Sequence, residues 1–200
     1  DVDSVLTVRE LARLIRLYGI DITNIEHEPA DEPMAGRSSS AVLAEVAGGL
    51  AEGIVRSLHF QKLRKDADKQ VFKKIRATGN FRETTVQIDD TEIKVAVVDG
   101  LTGLEKLKAY LNSGKKLDLV EVMACPGGCV HGAGLPFNAS KDEIKSRSKL
   151  VYMADETEAI NLPCKSPALI NIYEKHLKEN PDLGDKKIFY THFEKRNVLL

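Results

Sequence analysis

Net charge is nearly absent from this chain: 29 Lys and Arg stand against 30 Asp and Glu, leaving −1 over 200 residues. That balance removes any global electrostatic attraction to nucleic acid or to an anionic membrane. Long apolar runs are missing too, and none approaches the roughly 18–20 residues a spanning helix needs. Cysteine is scarce and odd in number, three in all. This argues against a disulfide scaffold and for a reducing compartment, the cytoplasm; the oxidising periplasm would require a targeting signal before Asp1. Internal repeats are lacking, as is any linker long enough to force two independent domains. The chain opens Asp1-Val2-Asp3, with neither Met nor a charged-then-apolar leader, so the expectation is a fragment or a processed chain.

What is present suffices for one sizeable core or two small ones: 42% of residues are hydrophobic and 30% charged. Residues 2–6 read as a short strand. Thr7 with Glu10 fits a capping box, and Leu11, Leu14 and Ile15 give helical spacing up to Gly19. Residues 20–37 lack a period and read as an acidic surface loop. Ser38, Ser39 and Ser40 offer N-caps for one long helix over 41–65, with Val42, Val46, Leu50, Ile54 and Leu58 stepping by four. Gly48, Gly49 and Gly53 inside it suggest close approach of another backbone or a cofactor, or a tight helix crossing. The basic run 62–76 reads as a solvated helix end. Residues 84–88 and 92–98 flank Asp89-Asp90-Thr91 as a hairpin, the second strand ending fully apolar. A helix over 104–112 and a strand over 117–123 complete a βαβ unit, so the fold class is α/β with parallel pairing. Further helices are expected over 141–149 and 168–179, with an acidic segment at 152–162 between them.

The strand over 117–123 runs into Cys125-Pro126-Gly127-Gly128-Cys129 and then Gly132-Ala133-Gly134-Leu135-Pro136. Ligands of open α/β sheets sit at the carboxyl ends of strands, which is where these cysteines fall. Thiolate sulfur suits iron–sulfur clusters and zinc. Glycines let a loop backbone close around a bulky cluster and aim N–H groups at its sulfurs. Zinc would want four ligands, and His131 with the distant Cys164 makes a poor set. A redox dithiol is usually Cys-x-x-Cys at a helix start, unlike this Cys-x3-Cys. The spacing alone is a weak signal, and a buried structural pair is its plain alternative.

Glu121-Val122-Met123-Ala124-Cys125-Pro126-Gly127-Gly128-Cys129, with the Gly-Ala-Gly-Leu-Pro that follows, closely resembles the third cluster-binding signature of the [FeFe] (iron-only) hydrogenases. The likeness extends over essentially the whole chain. Residues 1–14 resemble the family's segment after its second signature, and 38–49 its Ser/Ala-rich glycine helix. Residues 95–100 resemble its strand before the third signature, and 166–196 its C-terminal helix and Thr-His-Phe-x-Lys-Arg end. The resemblance implies that residues 1–200 form the C-terminal lobe of the H-cluster catalytic domain, a small mixed sheet flanked by helices, without its N-terminal lobe. It implies a four-iron four-sulfur (4Fe-4S) cubane joined through a cysteine to a two-iron unit that carries CO, CN⁻ and a bridging dithiolate. On this sequence Cys125 would ligate the cubane, Cys129 would ligate it and bridge to the two-iron unit, and Met123 would pack beside that unit. The implied activity is reversible reduction of protons to dihydrogen, with ferredoxin or a partner subunit supplying electrons.

Departures from the family pattern matter. The two cubane cysteines of the family's first and second signatures do not occur here, and Cys164, in Leu-Pro-Cys-Lys, matches neither; it reads as a structural or free thiol. The missing half must come from the same polypeptide or from a second chain. Ala44-Glu45 stands where the family has Phe-Gly, and Ala133 replaces a glycine. His131 reads as a hydrogen-bonded loop histidine rather than a proton carrier, and His27, His59, His176 and His192 receive no role. The rival reading is an iron–sulfur assembly or scaffold protein of the nuclear-prelamin-recognition-like group, with a cubane but no two-iron unit. A sensory hydrogenase relative and an inert fragment are further alternatives.

Overall fold

A computed structural model of the chain describes residues 3–29, 31, 37–76, 79–136 and 138–179. The elements, in order, are α1 (Val8–Leu17), α2 (Ser39–Leu43), α3 (Gly49–Leu63), α4 (Lys69–Phe72), β1 (Phe81–Ile88), β2 (Thr91–Asp99), α5 (Leu104–Asn112), β3 (Leu119–Met123), α6 (Lys141–Thr157) and α7 (Pro167–Asn171). After α7 the chain winds on as a π-helical stretch, Ile172–Leu177.

The sheet follows from local signals. Asp89, at φ +54°, and Asp90 turn β1 back on β2, pairing Ile88 with Thr91 and Phe81 with Val98. Crossing over through α5 brings β3 in parallel beside β2, with Val95 opposite Leu119 and Asp99 opposite Met123. The strand order is β1-β2-β3, so the sheet is small and mixed, as the α/β reading expected. Val95, Ala96, Val97 and Val98 of the central strand are all buried, because helices or loops cover both of its faces. Val86, Ile88, Val95 and Val97 meet Ala51 and Val55 of α3 with Phe72 and Ile75 in the larger core cluster. A second cluster joins Val42, Leu43 and Val46 to Val130 and to Val151 of α6. Each such side chain contributes about 1.5–3 kcal/mol by leaving water.

Four expectations require correction. Residues 3–7 form no strand, and Val5 and Leu6 are exposed; residue 2 lies outside the described residues. The single helix expected over 41–65 is two helices. Ala44 to Ala47 leave the helical path, Val46 makes an isolated antiparallel bridge to Gly128, and Gly48 adopts φ +86°. The stripe that steps by four is therefore cut: Val42 and Val46 are buried, whereas Leu50, Ile54 and Leu58 stay exposed. They line an apolar groove of about 330 Å³ with Ala41, Ala44 and Pro163. The helix expected over 141–149 runs on to Thr157, taking in the start of the acidic segment.

The basic run 62–76 is not simply solvated. Buried Arg56 donates to Asp155 of α6 at 2.7 Å and pairs with Glu52 one turn back. Arg76 donates to Glu52 at 2.7 Å and to Asp155 at 3.1 Å, and Lys69 lies 3.6 Å from Asp155. Arg76 also stacks over the Tyr152 ring at 4.2 Å. Two buried carboxylates thus gather three cations and lock α3, α6 and the segment after α4 together. Burial, the largest single influence, pushes the Asp155 carboxyl up, but the Arg56 hydrogen bond and charge, with Ser39 and Lys69, together outweigh it and hold the group below its usual value.

Other expectations hold in place. Thr7 caps α1 in a full capping box with Glu10, and Ser38 caps α2. Gly100, at φ +84°, leads through a short 3-10 turn into α5, and Ser113-Gly114 ends it. The end expected at Asn180-Pro181 and the Thr191-His192-Phe193 tail fall outside the described residues. No helix among the described residues is long and apolar enough to cross a membrane.

Candidate functional site

The cysteine loop leaves the carboxyl end of β3 in two tight steps. Gly128 N–H donates to the Cys125 carbonyl at 3.0 Å, with Pro126 and Gly127 as the central residues and Gly127 at φ +85°. That is the pattern of a type II turn, in which proline fits the second position and only glycine sits comfortably at the third. Gly128 follows at φ +89° and starts a one-turn 3-10 segment, Cys129–His131. The two cysteines therefore lie at either side of a turn with two successive residues in the left-handed region.

Neighbouring elements then fix the loop. The Asp99 carboxylate at the end of β2 accepts the Gly127 N–H. Ala47 N–H donates to the Gly127 carbonyl at 3.2 Å, and Val130 N–H to the Glu45 carbonyl at 3.3 Å. Between them Gly128 passes so close to the linker joining α2 to α3 that a Cβ on it would lie 2.7 Å from the Glu45 oxygen and 2.9 Å from Val46 Cα. Behind the loop, Arg147 of α6 donates to the Val130 carbonyl at 3.1 Å. The Gly-Ala-Gly end docks on α1: Arg9 donates from its backbone to the Gly134 carbonyl at 3.2 Å and from its guanidinium to the Leu135 carbonyl at 2.8 Å.

Cys125 is half-buried and Cys129 exposed, and both are free thiols. Met123, two residues before Cys125, is half-buried against the larger core cluster, and its carbonyl accepts the Gly100 N–H at 3.0 Å. His131 Nδ1 lies 3.1 Å from the Pro126 carbonyl, consistent with the loop-bonded histidine expected. Exposed Cys164 lies in a 3-10 turn after α6, on a separate groove with Leu169, Ile170 and Tyr173. Among the described residues no three His, Cys, Asp or Glu side chains gather as a metal site. The donor set is two sulfurs on one rigid loop. That fits part of an iron–sulfur cubane, which takes four thiolates, and equally half of a four-thiolate zinc site.

Two residues of this neighbourhood went unnoticed in the sequence. Asp99 anchors Gly127, and Glu121 of β3 is 5% exposed with its carboxylate turned inward. Gly48 N–H donates to one Glu121 oxygen at 2.6 Å and Ala51 N–H to the other at 2.7 Å. Burial pushes the Glu121 carboxyl above its usual value despite these bonds, with the Asp99 charge adding to the effect. A signal existed. Alternation along β3 puts Glu121 on the same face as Leu119 and Met123, and a charge on the core face demands a partner.

The family model for the iron only hydrogenase large subunit, C-terminal domain, matches residues 1–133. The NADP-reducing hydrogenase subunit HndD of Solidesulfovibrio fructosivorans is 30% identical over 200 residues, covering all of this chain and 34% of that protein. The cytosolic iron-sulfur assembly component 3 of Mus musculus is 25% identical over 201 residues, covering 96% of this chain and 41% of that one. Among solved structures, the [FeFe]-hydrogenase HydA(deltaEFG) superposes with a TM-score of 0.70 at 24% identity, over 96% of this chain and 56% of the other. The chain thus spans well under two thirds of the proteins it matches.

Proposed function

This chain belongs to the family of the iron-only hydrogenase large subunit, C-terminal domain, and from that premise we propose that it supplies half of an H-cluster site. In this reading Cys125 and Cys129 would hold a four-iron four-sulfur cubane, and Cys129 would also hold the adjoining two-iron subcluster with its CO, CN⁻ and dithiolate. Met123 borders that subcluster. The bound cluster supplies the redox chemistry that interconverts protons and dihydrogen. The chain's own residues supply position: the turn at Pro126-Gly127 presents Cys125, Gly128 sets Cys129 against the α2–α3 linker, and Asp99 fixes the backbone between them. Ferredoxin or an electron-transfer subunit provides electrons. The other two cubane thiolates come from outside these 200 residues, in the same polypeptide or a second chain, and the compartment is the cytoplasm.

The observation that carries this reading is the pair of free thiols on a loop immobilised at the carboxyl end of a parallel strand. The exposed apolar groove along Leu50, Ile54 and Leu58 supports a missing half that packs there. Infrared spectroscopy of the complete polypeptide is the test: bands from iron-bound CO and CN⁻ are expected. Cys129→Ser should abolish hydrogen evolution while the protein still folds, and activity near wild type would refute the bridging role.

The similarity to an iron–sulfur assembly component favours a second reading. There the same two cysteines hold a cubane in a non-enzymatic assembly protein. Cluster iron without CO or CN⁻ bands, and without hydrogen evolution, would select it.

A further inference from the structure

Glu121 lies on the strand that delivers the cysteines, yet its carboxylate reaches across to another element. Helix α3 is 15 residues long and begins at Gly49, and its cap position, Gly48, offers no side chain. The first N–H groups of such a helix need acceptors, and its N-terminus favours a negative charge. Glu121 meets both needs, taking the Gly48 and Ala51 N–H groups on separate oxygens at 2.6 and 2.7 Å.

The contacts close into a ring. From Glu121 the chain runs through β3 to the cysteine loop. Two hydrogen bonds tie the loop to the α2–α3 linker, Ala47 N–H to the Gly127 carbonyl and Val130 N–H to the Glu45 carbonyl, and between them Gly128 faces Val46 in an isolated antiparallel bridge. One residue further on, the linker reaches Gly48, where Glu121 holds it. No space is spare in this ring, since a Cβ on Gly128 would lie under 3 Å from linker backbone. The linker therefore cannot shift without moving either the loop or the start of α3.

We infer that Glu121 is a positioning residue for the cysteine loop: by capping α3 from β3 it fixes the linker against which Cys125 and Cys129 are held. Its importance to a cluster rests on the proposed function above, whereas its hold on the loop does not. Purely structural importance would act differently. Replacing a buried charge by a neutral isostere removes a desolvation cost as well as an acceptor, so global stability changes little while the ring opens locally.

Thiol reactivity separates these cases without any metal. The full chain is treated anaerobically with iodoacetamide under native conditions, and modification at each cysteine is followed by mass spectrometry, with exposed Cys164 as internal reference. Glu121→Gln turns one acceptor into a donor facing Gly48 or Ala51. It is expected to raise the alkylation rate of half-buried Cys125 by about tenfold and those of exposed Cys129 and Cys164 by less than about twofold, the scale of one lost charged hydrogen bond. Equal changes at all three thiols, or none, would overturn the inference. Should Glu121→Gln fail to fold, amide hydrogen exchange of the wild-type chain decides. Gly48, Ala51 and Gly127 must exchange as one cooperative unit, and Gly127 exchanging independently would overturn it. Iron and sulfide uptake by the complete wild-type polypeptide is read separately. No uptake there defeats the proposed function and leaves the thiol result standing.

Discussion

At the scale of single residues, the tightest constraint falls on Gly128. Its φ of +89° and its approach to the Glu45 oxygen both exclude a side chain. Gly128→Ala should cost about 1–3 kcal/mol from backbone strain alone. The close contact adds to that and pushes the loop off the linker. Urea denaturation of the full chain measures the first effect, and faster alkylation of half-buried Cys125 the second; a stability equal to wild type would count against the geometry described. The turn itself was legible in the sequence because Pro126 and the adjacent glycines are local signals with fixed dihedral preferences. Glu121 was not, since its partners Gly48 and Ala51 lie 73 and 70 residues earlier in the chain. Only its placement among Leu119, Val120, Val122 and Met123 hinted that a charge would be buried.

Between elements, the network of Glu52, Arg56, Arg76 and Asp155 decides how α6 sits on α3. Arg56 and Arg76 lie 99 and 79 residues before Asp155, so periodicity gives no sign of the pairing and the basic run that ends at Arg76 reads as solvated. Removing one member leaves the others buried and uncompensated, so Asp155→Asn should destabilise the chain by about 3–5 kcal/mol, read by thermal or urea unfolding. The pH dependence has a defined sign. The folded pKa of Asp155 is depressed, so its contribution is fully present above the unfolded value of about 3.9 and fades as pH falls through the folded one. Asp155→Asn should flatten the acid limb of the stability curve. Glu121, whose pKa is raised, acts in the opposite sense: its charged form loses stability as pH rises from its unfolded value toward its folded one. An unchanged acid limb in Asp155→Asn would contradict the network. The break between α2 and α3 belongs to this scale as well. Gly48-Gly49 gave a local hint, but the bridge from Val46 to Gly128 ends the helical path there, and that bridge exists only in the folded chain.

For the molecule as a whole, the βαβ core and the placement of the cysteines at a strand end could be read from turn residues and hydrophobic runs. What those signals could not supply is the exposed apolar stripe of Leu50, Ile54 and Leu58. It shows only once the helical path breaks between α2 and α3. The fold presents two free thiols on a loop at the carboxyl end of β3, one half of the cluster site proposed above. Electron paramagnetic resonance of the reduced, complete polypeptide, compared with its Cys125→Ser variant, tests this most directly. The signal of a reduced four-iron cubane is expected in the wild type and is lost in the variant. An identical cubane signal in both, or zinc in place of iron in the wild type, would contradict it.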